Sequence, residues 1–267
     1  MNRKLRVISF IALLFLLGCT DFEYSPNQIF DKDSPVDLNA KNLAKLNLAI
    51  NDDTLKFIVF GDSQKSANEL DLFILKANSI PKVDMAFLAG DISEFGLLLE
   101  VKWAAQQLQN LKMPNFVVVG NHELIANGNA VFKRMFGELN YSFIYGGVKF
   151  ICHDTNSREY KFNGEVPNIN WLSKELQQQT GVQNYVGISH IRPFTSDFDS
   201  NLDIAYLYAF NNQPRFLASF HAHEHTFGDF FPNNSRVPFV VTTNIGSKGF
   251  LLVEIVNNKI TYERISF

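Results

Sequence analysis

Gly120-Asn121-His122-Glu123 sets an amide, an imidazole and a carboxylate in succession directly behind the apolar run Phe116-Val117-Val118-Val119. Four β-favouring residues stopping at a glycine read as a buried strand that ends in a tight turn. In an open α/β sheet, that end of a strand is where ligands bind. Gly61-Asp62 and Gly90-Asp91 close two other apolar runs in the same way, and two more lead into Ser189-His190 and into His221, His223 and His225. Five of the six histidines therefore stand at strand exits. A single histidine there, or an aspartate that caps a helix, carries little weight alone. Carboxylates and imidazoles at five strand ends together form the donor set of a divalent-metal site.

The elements that must position these groups follow from the apolar pattern. Lys56 to Phe60 and Val83 to Ala89 read as strands. Between them Leu70, Phe73, Ile74 and Ala77 fall at helical spacing, and Pro81 closes the segment. Leu97, Val101, Ala104, Leu108 and Leu111 mark a second helix before the strand that enters Gly120. Strand, helix, strand, helix, strand of this length reads as parallel βαβ units. Then the rhythm changes. Tyr141 to Tyr145 and Val148 to Cys152 flank Gly146-Gly147, a hairpin signal. A helix near Trp171 to Leu176 leads to the strand Tyr185 to Ile188, and a helix near Leu202 to Phe210 precedes Phe216-Leu217-Ala218. Val237 to Val241, Phe250 to Ile255 and Lys259 to Arg264 read as consecutive antiparallel strands. The 26 phenylalanines sit largely in such runs and read as core filling.

Residues 1–18 read as a targeting segment. Arg3, Lys4 and Arg6 precede the apolar run Val7 to Leu17, too short to span a bilayer, which needs roughly 20 residues. Leu16-Leu17-Gly18-Cys19 resembles the lipobox of bacterial lipoproteins, which implies cleavage before Cys19 and its lipidation. The expected location is extracytoplasmic, anchored through Cys19 to a bacterial membrane, the outer membrane on its periplasmic or surface face. Residues 19–50, rich in Asp, Asn, Ser and Pro, read as a flexible tether, and residues 51–267 as one domain without internal repeats. Without residues 1–18 the chain carries 21 basic and 27 acidic residues, a net −6 that excludes a nucleic-acid duplex as the expected partner. With Cys19 acylated, Cys152 has no disulfide partner and reads as a buried, inert thiol.

Asp62-Ser63-Gln64, Gly90-Asp91, Gly120-Asn121-His122-Glu123, Ser189-His190 and His221-Ala222-His223, in that order, resemble the calcineurin-like metallophosphoesterases. The resemblance runs from about Leu55 to the C-terminus. It takes in Tyr141-Ser142-Phe143, Asp154-Thr155 and Trp171-Leu172. It implies an α/β fold of four layers, α-β-β-α, in which two mixed sheets are flanked by helices and a dinuclear metal site lies at the strand ends. Asp91 would bridge both metals, Asp62, Gln64 and His223 would complete the first site, and Asn121, His190 and His221 the second. The implied activity is hydrolysis of a small phosphomono- or diester by attack of a metal-bound hydroxide. His122 would be the general acid and Glu123 would hold its ring.

The departures set further expectations. Gln64 stands where the family usually has histidine, a known minority variant. Its neutral oxygen favours Mn²⁺, with Mg²⁺, Fe or Zn²⁺ as alternatives. Phe220 replaces the glycine that usually opens the last motif and would wall the site beside His221. His225 reads as a surface histidine or one behind the ligands, with an extra donor to the first metal as the alternative. Arg192 reads as a contact for substrate phosphate or an exposed structural arginine, and His153 as a structural residue. The competing reading is a degenerate member that binds a phosphorylated ligand without turnover, favoured only by Gln64. Loops 124–140 and 155–170, where substrate choice would lie, carry no interpretable motif.

Overall fold

The computed structural model describes residues 29–46 and 54–267. Residues 1–18 and Cys19 lie outside the described residues, and so does the segment 47–53. In chain order the strands are β1 Thr54–Phe60, β2 Met85–Ala89, β3 Asn115–Val118, β4 Tyr141–Tyr145, β5 Val148–Cys152, β6 Asn184–Ile188 and β7 Phe216–His221. They continue with β8 Gly228–Phe230, β9 Phe239–Val241, β10 Gly249–Val256 and β11 Lys259–Ser266.

Two mixed sheets result, ordered β11-β10-β1-β2-β3 and β4-β5-β6-β7-β9-β8. Strands β1, β2 and β3 are parallel, as are β5, β6, β7 and β9. The central strands are apolar on both faces because both faces are covered. On β1, Ile58 and Phe60 face the helices Ala67–Ser79 and Leu98–Leu108, while Phe57 and Val59 face the second sheet. Between the sheets the Phe57 ring meets Phe87, Phe150 and Phe220 edge-on, at 5.4–5.8 Å between centroids. On the far side of the second sheet, Leu172, Tyr206 and Phe210 close the helices Ile169–Glu175 and Asp203–Asn211 over it. The result is the expected order of layers, helices, sheet, sheet, helices.

Local chemistry explains the boundaries. Helix Ala67–Ser79 buries Leu70, Phe73, Ile74 and Ala77 on one face, carries Glu69 in its first turn and Lys76 in its last, and stops before Pro81. The β4–β5 hairpin turns at Gly146 and Gly147, both in the left-handed region, with Tyr145 paired to Val148.

Three expectations fail. Residues 29–46 were expected in a flexible tether, but they pack on the domain through the helix Leu38–Leu43. Asn39 donates to the Val117 carbonyl and accepts from the Val117 N–H, and Asn42 donates to the Asn115 carbonyl. These amides pair with the exposed edge of β3, so polarity here means docking rather than solvation. Second, the strand at 239–241 does not join an antiparallel series with β10; β9 lies parallel to β7 in the other sheet, and of the three expected strands β10 and β11 alone pair with each other, antiparallel. Third, residues 128–136, read as loop, form the helix Gly128–Phe136, which buries Val131, Phe132, Met135 and Phe136.

His153 supplies the clearest pH-dependent contribution to this fold. It is buried, with Nδ1 3.2 Å from the Ile151 carbonyl and Nε2 2.7 Å from the Tyr206 hydroxyl. A carbonyl only accepts, so Nδ1 donates and Nε2 accepts from Tyr206. Burial pushes the ring down to about 4. The unfolded chain takes up a proton near pH 6.5 that the folded chain refuses until about pH 4. Stability is therefore present above that window and falls by on the order of 2–3 kcal/mol as pH drops through it. Urea unfolding of the wild type and His153→Gln should show their difference in stability shrinking from pH 7 to pH 4; a constant difference would contradict it.

Candidate metal and phosphoryl site

The C-terminal ends of β1, β2, β3, β6 and β7 meet at one place. Asp62 and Asp91 follow β1 and β2, and both take left-handed backbone conformations, φ 53° and 58°. The turns lock together: Asp62 N–H donates to Gly90 O, and the Ser63 and Gln64 N–H groups donate to Asp91 O. Two glycines are obligatory. A Cβ on Gly90, itself at φ 94°, would lie 2.4 Å from His190 Nδ1. One on Gly120 would lie 2.1 Å from Asp91 Oδ1.

Asp91 is the hub. Its Oδ1 accepts the His122 N–H at 3.1 Å. Its Oδ2 lies 3.2 Å from His190 Nε2 and 3.4 Å from Gln64 Nε2. His190 Nδ1 donates to the Ala89 carbonyl at 2.7 Å, which turns Nε2 toward Asp91 and toward Asn121 Oδ1 at 3.1 Å. Burial disfavours charge on both partners of the Asp91–His190 pair. Their mutual attraction outweighs it, so Asp91 lies below the usual carboxylate range and His190 is pushed up to about 10. Ligand atoms of Asp91, His190 and His223 all lie within 4.8 Å of one another. The His223 N–H donates to the Asp62 carboxylate, and His225 Nε2 stands 3.4 Å from Asp62 Oδ1.

His221 is placed differently. It ends β7 on the outer face of its sheet, stacked on Phe239, with Nδ1 3.0 Å from Ser189 Oγ. Its Nε2 is buried without a hydrogen-bond partner, as is Gln64 Oε1. Buried polar atoms are seldom left unpaired, and each such case asks for an explanation. The bare Gln64 oxygen belongs to a side chain that lies against Asp91, in a cluster of carboxylate and imidazole donors with His190 and His223 that fits a divalent cation. The contacts of His221, by contrast, are with Ser189 and Phe239.

His122 and Glu123 divide their roles, and not as the sequence suggested. His122 Nδ1 donates to the Glu94 carbonyl at 2.7 Å, leaving Nε2 3.9 Å from Asp91 Oδ2. Glu123 does not hold that ring. Adjacent residues on the 3₁₀ turn His122–Leu124 point apart, and the fully buried Glu123 carboxylate turns inward. It accepts the N–H groups of Asp91, Gly120 and Ser93 and the Ser93 hydroxyl, at 2.8–2.9 Å. Burial, and then the charge of Asp91, push the Glu123 carboxyl up to about 7, against those hydrogen bonds.

Arg192, a candidate for substrate phosphate, is engaged by Glu224 through two hydrogen bonds of 2.5 and 2.9 Å and lies 3.7 Å over the Phe230 ring. It ties the loop after β6 to the turn carrying His223 and His225. Phe220 does not wall the site, because alternation along β7 sends it into the core between the sheets, against Phe57 and Tyr262. Cys152 is free and buried as expected, its thiol pushed up to about 12 by burial. Sequence reasoning missed Asp197, which reaches His223 from the loop after β6. No motif marks that loop.

The family model of the calcineurin-like phosphoesterases matches residues 55–227. Comparison with curated proteins yields no match. Among solved structures, the fold is similar to a dimetal phosphatase from Danio rerio, 11% identical, with a TM-score of 0.61 over 80% of this chain and 99% of that one. It is also similar to a purple acid phosphatase from yellow lupin seeds, 14% identical, with a TM-score of 0.62 over 80% of this chain but only 51% of the lupin protein. A third is GAP50, described as the anchor in the inner membrane complex of Plasmodium, 16% identical, with a TM-score of 0.59 over 80% of this chain and 84% of that one. At such identities these neighbours speak for the fold alone, which an anchor shares with phosphatases. With the family model spanning the strand ends from Asp62 to His223, the chain belongs to the calcineurin-like phosphoesterases.

Proposed function

We propose that this phosphoesterase hydrolyses a small phosphomono- or diester at two divalent cations. Asp62, Gln64, Asp91 and His223 would hold the first, and Asp91, Asn121, His190 and His221 the second. Bound there, the cations would supply the charge that stabilises the entering and leaving oxygens of an in-line displacement at phosphorus. The protein's own part is positional. His122 keeps its Nδ1 hydrogen on the Glu94 carbonyl and offers Nε2 to the leaving oxygen as the proton donor. Glu123 fixes the Asp91 and Gly120 backbones against each other. The observation that carries this reading is the closure of Asp91, His190 and His223 within 4.8 Å, with His122 on the turn that donates to Asp91.

Turnover of aryl phosphate mono- and diesters with added metals tests it. The wild type should work best with Mn²⁺ or Mg²⁺, because Gln64 gives the first position a neutral oxygen in place of an imidazole. Gln64→His should shift preference toward Zn²⁺. Equally tight zinc in both proteins would contradict the metal assignment. Bound metal without turnover of any ester would favour the binding-only reading that Gln64 alone supports.

The proposal extends to location: an extracytoplasmic protein anchored to a bacterial membrane through lipidated Cys19. Its support is the Leu16-Leu17-Gly18-Cys19 pattern behind a basic, apolar start. Among the described residues no helix is long and apolar enough to cross a membrane. Membrane retention after Cys19→Ala would overturn the anchor.

A further inference from the structure

Three neighbouring strands of the second sheet feed one chain of contacts. Arg158 lies on the 3₁₀ turn Ser157–Tyr160 beyond β5, Asp197 on the loop beyond β6, and His223 on the turn beyond β7. Arg158 pairs with Asp197 Oδ1, and Asp197 Oδ2 lies 2.8 Å from His223 Nε2. The Asp197 side chain is only 14% exposed, while that of Arg158 is 56% exposed. The carboxylate is thus held between a guanidinium at the rim and an imidazole inside the site.

An ionised carboxylate only accepts, so the hydrogen of a neutral His223 ring sits on Nε2 and its lone pair on Nδ1. The same division of labour holds at His190, where a carbonyl takes the Nδ1 hydrogen and the other nitrogen turns to Asp91 and Asn121. Metal-ligating histidines commonly give their second ring N–H to a carboxylate or carbonyl, which fixes the tautomer and raises the basicity of the ligating nitrogen. At the first metal position this matters more than usual. Gln64 contributes a neutral amide there, so more of that half's affinity falls to the imidazole of His223, with His225 beside Asp62 more exposed.

We propose that Asp197 is a positioning residue for the first metal: it fixes His223 as the Nε2–H tautomer, offers Nδ1 to the cation, and is itself held in place by Arg158. The inference rests on the dinuclear reading above. It names a carboxylate that offsets the weakness of Gln64 by strengthening its neighbour.

Mn²⁺ titration by calorimetry of the wild type, Asp197→Asn and Arg158→Ala tests it, with circular dichroism of the metal-free proteins as the check on folding. Asp197→Asn keeps size and an accepting oxygen but removes the charge. It should weaken one of the two sites by roughly 10–100-fold and leave the other unchanged. Arg158→Ala should weaken the same site by less. Two unchanged sites in Asp197→Asn, or equal weakening of both, would overturn the role of Asp197 while leaving the dinuclear reading intact. A wild type that binds no Mn²⁺ would overturn both. If Asp197→Asn does not fold, the ¹⁵N resonances of His223 in the wild type decide. Protonated Nε2 with Nδ1 shifting on Zn²⁺ loading supports the inference, and the reverse overturns it.

Discussion

Replacing His122 with Ala lowers kcat by roughly 10²–10⁴-fold, the range expected for loss of a general acid, while metal content stays near that of the wild type. The separation is possible because the proton donation proposed for this residue and its hold on Asp91 use different atoms. Its backbone N–H holds Asp91 Oδ1, and alanine keeps that bond. Its ring touches the site only through Nε2, 3.9 Å from Asp91 Oδ2, and is fixed from behind by the Glu94 carbonyl. A proton donor also leaves a signature that a displaced ligand does not. Alkyl esters, whose alkoxides need a proton to depart, should lose more rate than nitrophenyl esters, whose phenolates leave unaided. An equal loss for both substrates, or parallel loss of metal and turnover, would move His122 from acid to ligand.

The fold and the meeting of the strand ends were legible because both are written in local patterns. Apolar runs that stop at glycine, followed by Asp, Asn or His, mark strand ends without knowledge of the tertiary structure, and the five segments do converge. What stayed hidden depends on contacts distant in sequence or on polar residues with two meanings. Asn39 and Asn42 look like tether, since the same amides suit water or the bare edge of β3 equally well. Asp197 meets His223 across 26 residues and two loops, and no spacing rule links them. Phe220 was assigned to the site by its place in the motif, whereas strand alternation assigns it to the core. The misreading of Glu123 has the same origin. Nearness in sequence suggested contact with His122, but a tight turn sends neighbouring side chains to opposite sides.

That separation makes Glu123 the counterpart of His122 in experiment. Glu123→Ala should cost about 3–5 kcal/mol of stability and strip metal along with activity. Its carboxylate satisfies three backbone N–H groups and a hydroxyl in a fully buried space, and truncation leaves those donors facing a void. One of them is the N–H of Asp91, whose left-handed backbone costs on the order of 1–3 kcal/mol to maintain and persists only where surrounding contacts insist on it. Without Glu123, Asp91 is free to relax toward an ordinary conformation, and the carboxylate that lies against His190 and Gln64, and that we propose bridges the two cations, moves with it. Glutamine is not a conservative replacement. Turned one way, its NH₂ group faces the Asp91 and Gly120 N–H donors; turned the other, it faces the Ser93 N–H, and only the rotatable Ser93 hydroxyl can accept from it. Glu123→Gln should therefore lie close to Glu123→Ala in urea unfolding and in metal content. A glutamine variant with wild-type stability and metal would mean that the Asp91 turn holds itself. The opposite responses of two adjacent residues, rate without stability at His122 and stability with metal at Glu123, distinguish a group that does chemistry from one that holds the chemistry in place.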